Sequence, residues 1–200
     1  FPGEVLCLRG DNGAGKSTAI KVLSGFHGPS SGTMEWEGGD ITFNSPRDAN
    51  ERGIATVHQF GGTFPLMSIA RSFFVGLEPT KGRGPFKRFD RKYANEVVVR
   101  EMQALGITRV TDGERLIGSL SGGERQVSAI ARAVHFGAKV LILDEPTTGL
   151  DPNQILEFRQ LIKNIGKEKT VILSTHILQE VEAICDHVLI MNQGKILAEG

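Results

Sequence analysis

The chain has 200 residues, 40% of them hydrophobic, and its 23 Lys and Arg balance its 23 Asp and Glu. This length suggests one domain, or one domain with an inserted subdomain, and a sizeable core. The neutral balance excludes an overall field that would draw the protein to nucleic acid or to an anionic membrane. Cys7 and Cys185 favour buried reduced thiols, with a single disulfide as the alternative. No apolar run approaches bilayer-spanning length, and the first residues lack the features of an export signal.

In chain order, apolar runs first alternate with segments of helical period. The run EVLCL predicts a strand, which a glycine-rich loop joins to a helix that ends at Gly25. The run GTMEWEGGDITF predicts a short hairpin that turns at Gly38 and Gly39. Next, SPRDANERG predicts a helix capped by Ser45, and IATVHQ predicts another strand.

Strand signals nearly vanish between about Phe60 and Leu120, where SIARSFFVG and DRKYANEVVVREMQALG carry helical apolar spacing. This part of the chain predicts a helical insert. After it come a helix from about Gly122, the strand KVLILD, the helix PNQILEFRQLIKNI, the strand TVILST, a short helix near LQEVEAIC, and the strands HVLIM and KILAE around NQG. Such alternation predicts an α/β fold with a mostly parallel sheet that helices cover on both faces.

A glycine-rich motif lies between the first predicted strand and the first predicted helix. Gly10, Gly15, Lys16 and Ser17 match the spacing G-x-x-x-x-G-K-[ST]. The glycines let backbone amides turn toward phosphate oxygens, and the start of the helix adds positive potential. Lys16 would neutralise the outer phosphates, and Ser17 would ligate magnesium. The motif predicts a triphosphate site, the alternative being a glycine-rich turn that holds no ligand.

Two carboxylates follow the predicted strand KVLILD, at the sheet edge where ligands of open α/β folds gather. Asp144 would hold magnesium through water, and Glu145 would orient or deprotonate the attacking water. Alone, an acidic pair in this place more often starts a helix, so the phosphate loop is what favours the catalytic interpretation. The run LSGGERQ, from Leu120 to Gln126, offers a second helix start to an anion.

Together these motifs resemble the ATP-binding cassette family. GDNGAGKST, LSGGERQ, LILDEP, GLD at Gly149 to Asp151 and STH ending in His176 occur in that family's order, and Gln59 after IATVH resembles its glutamine loop. The resemblance covers almost the whole chain. It implies a P-loop NTPase fold with a small antiparallel part and an inserted helical subdomain. Residues 1–59 and 137–200 would form the ATP-binding core, and residues 60–136 the helical subdomain with the signature motif.

The resemblance also implies a function and its residues. Two chains, in a homodimer or pseudo-dimer, would pair head to tail around ATP and Mg²⁺ and hydrolyse ATP. They would dock on membrane-spanning subunits at the inner, cytoplasmic face of the cell membrane, with no nucleic-acid partner. The implied catalytic residues are Lys16, Gln59, Glu145 and His176, and the implied metal site comprises Ser17, Gln59 and Asp144. The implied nucleotide-binding residues are Gly10, Asn12, Gly13, Gly15, Lys16, Ser17 and Thr18, and, across the dimer, Ser121, Gly122, Gly123 and Asp151.

Two departures from the family pattern lead to further expectations. Residues 1–147 resemble ATPases of bacterial carbohydrate importers, whereas residues 148–200 resemble those of export or gliding-motility systems, which suggests a hybrid chain. Family members usually begin earlier, with antiparallel strands and an aromatic residue that stacks on adenine, and Phe1 lies too close to the phosphate loop to replace it. We therefore expect an exposed sheet edge and little discrimination between ATP and GTP. The leading hypothesis is carbohydrate import, and the alternatives are a cassette that binds nucleotide with little turnover or a cassette ATPase outside transport.

Overall fold

A six-stranded, mostly parallel sheet forms the centre of the protein. A computed structural model describes residues 3–58 and 64–200. The strands in these ranges are β1 (Val5–Arg9), β2 (Met34–Trp36), β3 (Gly39–Ile41), β4 (Ile54–Val57), β5 (Thr80–Lys81), β6 (Arg88–Phe89), β7 (Val140–Asp144), β8 (Thr170–Thr175), β9 (His187–Asn192) and β10 (Lys195–Glu199). The α-helices are α1 (Lys16–Leu23), α2 (Pro46–Glu51), α3 (Ile69–Phe73), α4 (Arg91–Ala104), α5 (Gly122–His135), α6 (Pro152–Gly166) and α7 (Leu178–Ile184).

The strand order of the large sheet is β10-β9-β1-β8-β7-β4. All neighbours in it run parallel except β9 and β10, which form an antiparallel hairpin. Thr175 pairs with Arg9 on β1, and Ser174 pairs with Asp144 on β7. The carboxyl ends of these three strands therefore lie side by side, and the predicted α/β fold with a mostly parallel sheet is confirmed.

Apolar clusters cover both faces of the sheet. On β7, Leu141 and Leu143 belong to the cluster with α5, α6 and α7, while Ile142 belongs to the cluster with α1 and α2. This alternation follows from the two-residue period of a strand. All three side chains have no exposed surface, so β7 is held rigidly between two layers of helices.

A third apolar cluster is formed by helices α3, α4 and α5, around fully buried side chains such as Phe73 and Met102. Helix α5 contributes to two clusters, since Ile130 packs toward the sheet and Ala131 packs toward α3 and α4. Arg132 adds a polar link, because its guanidinium donates to the carbonyl oxygens of Phe73 and Val75, each over 2.8 Å. The three helices lie within residues 60–136, although the division of the chain into two subdomains stays a prediction.

Two short hairpins differ from the sequence-based expectation. The predicted turn at Gly38 and Gly39 is one residue too late, because Glu37 (φ 50°) and Gly38 (φ 82°) form the turn and Gly39 already pairs with Trp36. In the region predicted as helical, β5 and β6 form a small antiparallel hairpin, because residues at Thr80–Lys81 and Arg88–Phe89 pair across a glycine-containing loop. The predicted Ser45 cap is confirmed, since its hydroxyl accepts from Asp48 N.

Cys7 is fully buried in β1, Cys185 is half-buried after α7, and both are free thiols. None of the helices in residues 3–58 and 64–200 combines the length and the apolar character needed to cross a bilayer.

Candidate nucleotide-binding site

The loop between β1 and α1 is shaped by glycines that no other residue can replace. A Cβ atom added to Gly10 would lie 2.5 Å from the carbonyl oxygen of Met191, and one added to Gly15 would lie 3.1 Å from Gly194 Cα. Gly15 also has a φ of 102°, a left-handed conformation that favours glycine. Gly194 N donates to Ala14 O over 2.9 Å, so the β9–β10 turn supports this loop.

The buried side chain of Lys16 holds the same loop by hydrogen bonds to its backbone. Its side chain is 5% exposed, and its ammonium donates to Gly10 O over 2.7 Å and to Asp11 O over 3.2 Å. The backbone amides at the start of α1 and the ammonium group of Lys16 both belong to this short segment, and their combined positive potential suits an anion. Ser17 and Thr18 follow with exposed side chains, as does Asn12 within the loop, so all three are accessible to a ligand.

The neighbouring edge of the sheet carries the two predicted carboxylates. The hydroxyl group of Ser174 on β8 donates to Asp144 Oδ1 over 2.7 Å, and Ser174 Oγ accepts from Glu145 N over 3.0 Å. Glu145 has a φ of 46°, the left-handed region that non-glycine residues rarely adopt. Such conformations persist where the surroundings enforce them and cluster at functional sites. Ser174 is the group that orients both acidic residues.

Glu145 lies between two basic side chains from different segments. Its Oε1 atom is 3.7 Å from Lys16 Nζ and 3.5 Å from His176 Nδ1. The histidine is 45% exposed and follows β8 directly, so it faces the open side of the site. Lys16, Glu145 and His176, with Asp144 beside them, therefore meet at one edge of the sheet.

The residues present fit a nucleoside triphosphate with a divalent cation. A methyl group at Gly10 would overlap the carbonyl oxygen of Met191, so the loop is confined to glycine there, and the first backbone amides of α1, which have no partner within the helix, are available to phosphate oxygens. The hydroxyl of Ser17 and the carboxylate of Asp144 are the hard oxygen ligands that Mg²⁺ prefers. Gln59, the other predicted metal ligand, lies outside the described residues, and its place in the site stays a prediction.

The predicted signature residues form a second, separate group. Ser121 caps α5 in a reciprocal arrangement, in which Ser121 N donates to Glu124 Oε2 over 2.8 Å and Glu124 N donates to Ser121 Oγ over 3.2 Å. Gly122 packs beside Leu150, and a Cβ on Gly123 would lie 3.2 Å from Gln154 Oε1. The start of α5 therefore rests on the loop that leads into α6.

Asp151 belongs to this second group. It caps α6, because its Oδ1 atom accepts from Gln154 N over 2.9 Å. Ser121, Gly123 and Asp151 line one groove of about 1200 Å³ between α5, α6 and residues 104–109. Within the part of the chain that the structure describes, neither the phosphate loop nor the Asp144–Glu145 pair contributes to that groove. The signature residues and the phosphate loop therefore lie at different places in a single chain.

Sequence reasoning missed Ser174 and Gly194. Ser174 belongs to the STH motif, in which the family resemblance assigns a role to His176 alone, and the signal for Ser174 is a small hydroxyl residue in register with Asp144 on the next strand. Gly194 is predicted from the sequence only as a hairpin turn residue. Its contact with Ala14 joins positions 180 residues apart, which no local pattern indicates.

The phosphate loop at the start of α1 and the acidic end of β7 define a P-loop NTPase. The family model described as "ABC transporter" matches residues 1–148, and the chain belongs to that family. The chain is 38% identical over 197 residues to the xylose/arabinose import ATP-binding protein XylG of Sulfolobus acidocaldarius, covering 98% of this chain and 76% of that protein. It is 36% identical over 202 residues to the fructose import ATP-binding protein FrcA of Rhizobium meliloti, covering 98% and 77%.

A third relative, the ribose import ATP-binding protein RbsA 2 of Streptomyces avermitilis, is 36% identical over 199 residues. That match covers 99% of this chain but 38% of RbsA 2, so the chain spans about two fifths of that relative. The XylG match covers 98% of this chain and so includes residues on both sides of Thr148, whereas the family model ends at residue 148; the hybrid origin suggested by the sequence stays a prediction.

Solved structures show the same fold. The ADP conformation of MJ1267, described as an ATP-binding cassette of an ABC transporter, has a TM-score of 0.83 at 27% identity and covers all of this chain and 80% of that one. CbiO1 from Clostridium perfringens, described as part of the ABC transporter complex cbiONQ, has a TM-score of 0.81 at 29% identity and covers 100% and 77%. The predicted cassette fold, with its mostly parallel sheet and small antiparallel part, is confirmed. Family membership implies an ATPase that binds ATP and works with a membrane transporter.

Proposed function

We propose that this chain is the ATP-hydrolysing subunit of a transporter that imports a carbohydrate. The observation that carries the proposal is the position of Glu145, between Lys16 and His176 and beside Asp144. A carboxylate at this place can orient or deprotonate a water molecule next to the outer phosphate of a bound nucleotide. The printed names of the relatives, which import xylose, arabinose, fructose or ribose, support a sugar as the transported substrate.

Each predicted site residue has a role in this proposal. Amides of the loop from Gly10 to Gly15 and the side chains of Lys16 and Thr18 bind the phosphates, and Asn12 and Gly13 complete the loop. Ser17, Gln59 and Asp144 would hold Mg²⁺, which when bound would supply positive charge next to the phosphate oxygens. His176 contacts the outer phosphate, which keeps that phosphate next to Glu145.

The proposal includes head-to-tail pairing of two chains. Ser121, Gly122 and Gly123 lie at the start of α5, where the first amides of a helix have no partner within the helix and attract anions. Ser121 and Gly123 line a groove to which the phosphate loop of the same chain does not contribute, so a second chain can bring its own α5 to the nucleotide. Asp151, at the start of α6, then lies next to that interface. Hydrolysis depends on assembly in such a site.

An exposed apolar surface supports docking on membrane-spanning subunits. Leu66 is 87% exposed, Phe64 is 53% exposed and Leu116 is 48% exposed. A bridge between Ser68 and Leu116, and a 3.1 Å hydrogen bond from Gly118 N to Pro65 O, bring the two segments together. Exposed apolar patches of this kind mark protein interfaces. The chain would then act at the inner face of the membrane without entering it.

Size-exclusion chromatography of the Glu145→Gln variant with and without MgATP tests the pairing and the catalytic role. We expect a shift from monomer to dimer only with MgATP, together with loss of ATP turnover, because the variant binds ATP and cannot activate water. The Glu96→Gln variant, which neutralises an exposed carboxylate on α4, is the control and should behave as wild type. A monomer in every condition despite measurable ATP binding would select the alternative, a cassette with little turnover.

The sugar assignment has its own experiment. A strain that lacks this chain should lose uptake of one radiolabelled sugar among xylose, arabinose, ribose and fructose. Expression of the wild-type chain should restore that uptake, and expression of the Glu145→Gln variant should not. Unchanged uptake of all four sugars would contradict the assignment to this class of importer.

A further inference from the structure

A buried carboxylate lies directly behind the proposed catalytic residues. Glu180, in the first turn of α7, is 1% exposed, and none of the ion pairs among residues 3–58 and 64–200 includes it. Both carboxylate oxygens are bound by hydroxyl groups: Thr147 Oγ1 donates to Oε1, and Thr175 Oγ1 donates to Oε2 over 2.6 Å. The two threonines are themselves 5% and 2% exposed.

This arrangement is costly for stability alone. A buried charge pays a desolvation penalty that hydrogen bonds offset only in part, and a well-packed apolar side chain of similar volume is often at least as stable. Removal of one partner from such a network leaves the other groups unsatisfied in a region of low dielectric. The contacts of Glu180 therefore indicate that this carboxylate is needed to hold the groups around it in fixed positions.

The two threonines flank the proposed catalytic side chains. Thr147 lies two residues after Glu145 in the loop that leads to α6, and Thr175 immediately precedes His176. The hydroxyl oxygen of Thr175 also accepts from Ile177 N over 3.0 Å, so both neighbours of His176 are held. Glu180 thus joins, by its two oxygens, the segment after Glu145 and the segment around His176.

We propose that Glu180 is a positioning residue for ATP hydrolysis: its buried carboxylate fixes the 3.5 Å separation of Glu145 Oε1 and His176 Nδ1. This inference rests on the proposed roles of Glu145 and His176. The phosphate loop lies between β1 and α1, and Lys16 begins α1; neither is bonded to Glu180, and the link to this part of the chain is the strand pairing of Thr175 with Arg9 at the end of β1. Loss of the Glu180 contacts should therefore slow turnover and leave nucleotide affinity unchanged.

Three variants separate positioning from packing. Glu180→Gln keeps the volume but replaces one acceptor oxygen by an NH₂ donor, so both threonines cannot donate to it at once. Thr175→Val removes the donor to Oε2 and keeps the shape of the side chain. Val181→Ala is the matched control, because it removes buried methyl groups from the same helix and leaves both hydrogen bonds in place.

The effect on turnover is measured as kcat and KM for ATP in the presence of Mg²⁺. We expect kcat to fall about 10- to 100-fold in Glu180→Gln and in Thr175→Val, since displacement of a catalytic group by about 1 Å costs up to about 100-fold. KM and the dissociation constant for MgATP should change less than about 2-fold. The control Val181→Ala should lower the melting temperature and keep kcat within about 2-fold of wild type.

Hydrogen–deuterium exchange of the nucleotide-free variants provides a readout that does not depend on activity. We expect faster exchange in peptides that contain Glu145 to Thr148 and Ser174 to Ile177 in Glu180→Gln, with unchanged exchange in α1. Uniformly faster exchange, or the same pattern in Val181→Ala, would overturn the proposal because it would indicate a loss of packing. An unchanged kcat in Glu180→Gln would also overturn it.

The two proposals can fail separately. If wild type hydrolyses no ATP in any assembly state, the proposed function is wrong, and the positioning of Glu145 for turnover is then wrong with it. If wild type hydrolyses ATP and Glu180→Gln loses kcat only in proportion to lost folded protein, the proposed function stands and the role of Glu180 is overturned. Selective exchange with a selective loss of kcat supports both.

Discussion

The Ser174 hydroxyl bridges two catalytic candidates, because it donates to Asp144 Oδ1 over 2.7 Å and accepts from the backbone amide of Glu145 over 3.0 Å. A single hydroxyl group on β8 therefore sets the orientation of the carboxylate proposed to hold Mg²⁺. The bridge is formed by neighbours in strand register, so it depends on the sheet and not on a loop.

Ser174→Ala should raise the Mg²⁺ concentration needed for half-maximal ATPase activity about 5- to 20-fold. The Asp144 carboxylate loses a hydrogen bond that orients it, and outer partners of metal ligands typically affect metal affinity by about 10- to 100-fold. The measurement is a magnesium titration of ATP turnover at saturating ATP. Ser174→Thr, which keeps the hydroxyl, is the control. The same magnesium requirement in Ser174→Ala and wild type would contradict this role.

Lys16→Met should weaken MgATP binding at least about 10-fold. The variant keeps an unbranched side chain of similar length but removes a charged donor, and charge-assisted hydrogen bonds contribute about 1.5–3 kcal/mol. Fluorescence titration with a labelled nucleotide measures this change. Lys21→Met, which neutralises an exposed lysine later in α1, should bind as wild type does. Equal affinities of both variants would exclude the proposed contact with phosphate.

Ser121→Ala and Glu124→Ala should both destabilise the protein by about 1 kcal/mol, because each breaks the reciprocal cap of α5. Only Ser121→Ala also removes a side chain proposed to contact the partner's nucleotide. We therefore expect an additional fall in kcat of about 10-fold in Ser121→Ala and little further fall in Glu124→Ala. Thermal melts and ATPase rates of the two variants make the comparison. Equal rates would mean that Ser121 acts only as a cap.

Acid should weaken the contact between α4 and α5. Burial alone would raise the pKa of Glu101, but hydrogen bonds from Arg100 and His135 outweigh it and hold the pKa below its ordinary value of 4.5. Because the folded-state pKa is the lower one, the stabilisation is present above pH 4.5 and is lost as the pH falls through the folded-state pKa. Glu101→Gln should melt about 2 °C below wild type at pH 7, with this difference shrinking below pH 4.5. A constant difference across that range would contradict the assignment.

Local pattern predicted most elements of the fold, since the alternation on β7 and the helical spacing in α4 follow directly from which side chains are buried. Local pattern could not predict the strand order, because β1 lies between β8 and β9, whose residues are more than 160 positions away in the chain. The turn at Glu37 was misplaced because glycine pairs dominate turn propensity, and only the pairing of Trp36 with Gly39 shows the actual register.

In the candidate site, too, some residues could be predicted from local pattern and others could not. Lys16, Asp144 and His176 stand in short motifs whose spacing reflects one strand, one loop and one helix, so they could be predicted. Ser174 and Glu180 act through groups on other elements: Glu180 contacts Thr147, 33 residues earlier in the chain. A buried glutamate on an apolar helix face was the available signal, but the threonines that bind it become evident only when β7 and β8 lie side by side.

Helix α5 is attached to other elements near both of its ends, so a rotation about one end displaces the other. Arg132 ties it to the end of α3, while Gly122 and Gly123 at its start lie against Leu150 and Gln154. The ten residue steps from Gly122 to Arg132 span about 15 Å of a helix with a rise of about 1.5 Å per residue. A tilt of about 8° around the Arg132 end therefore carries Ser121 through about 2 Å, more than a hydrogen bond tolerates. A displacement of this size at the start of α5 would be enough to make or break a contact of Ser121.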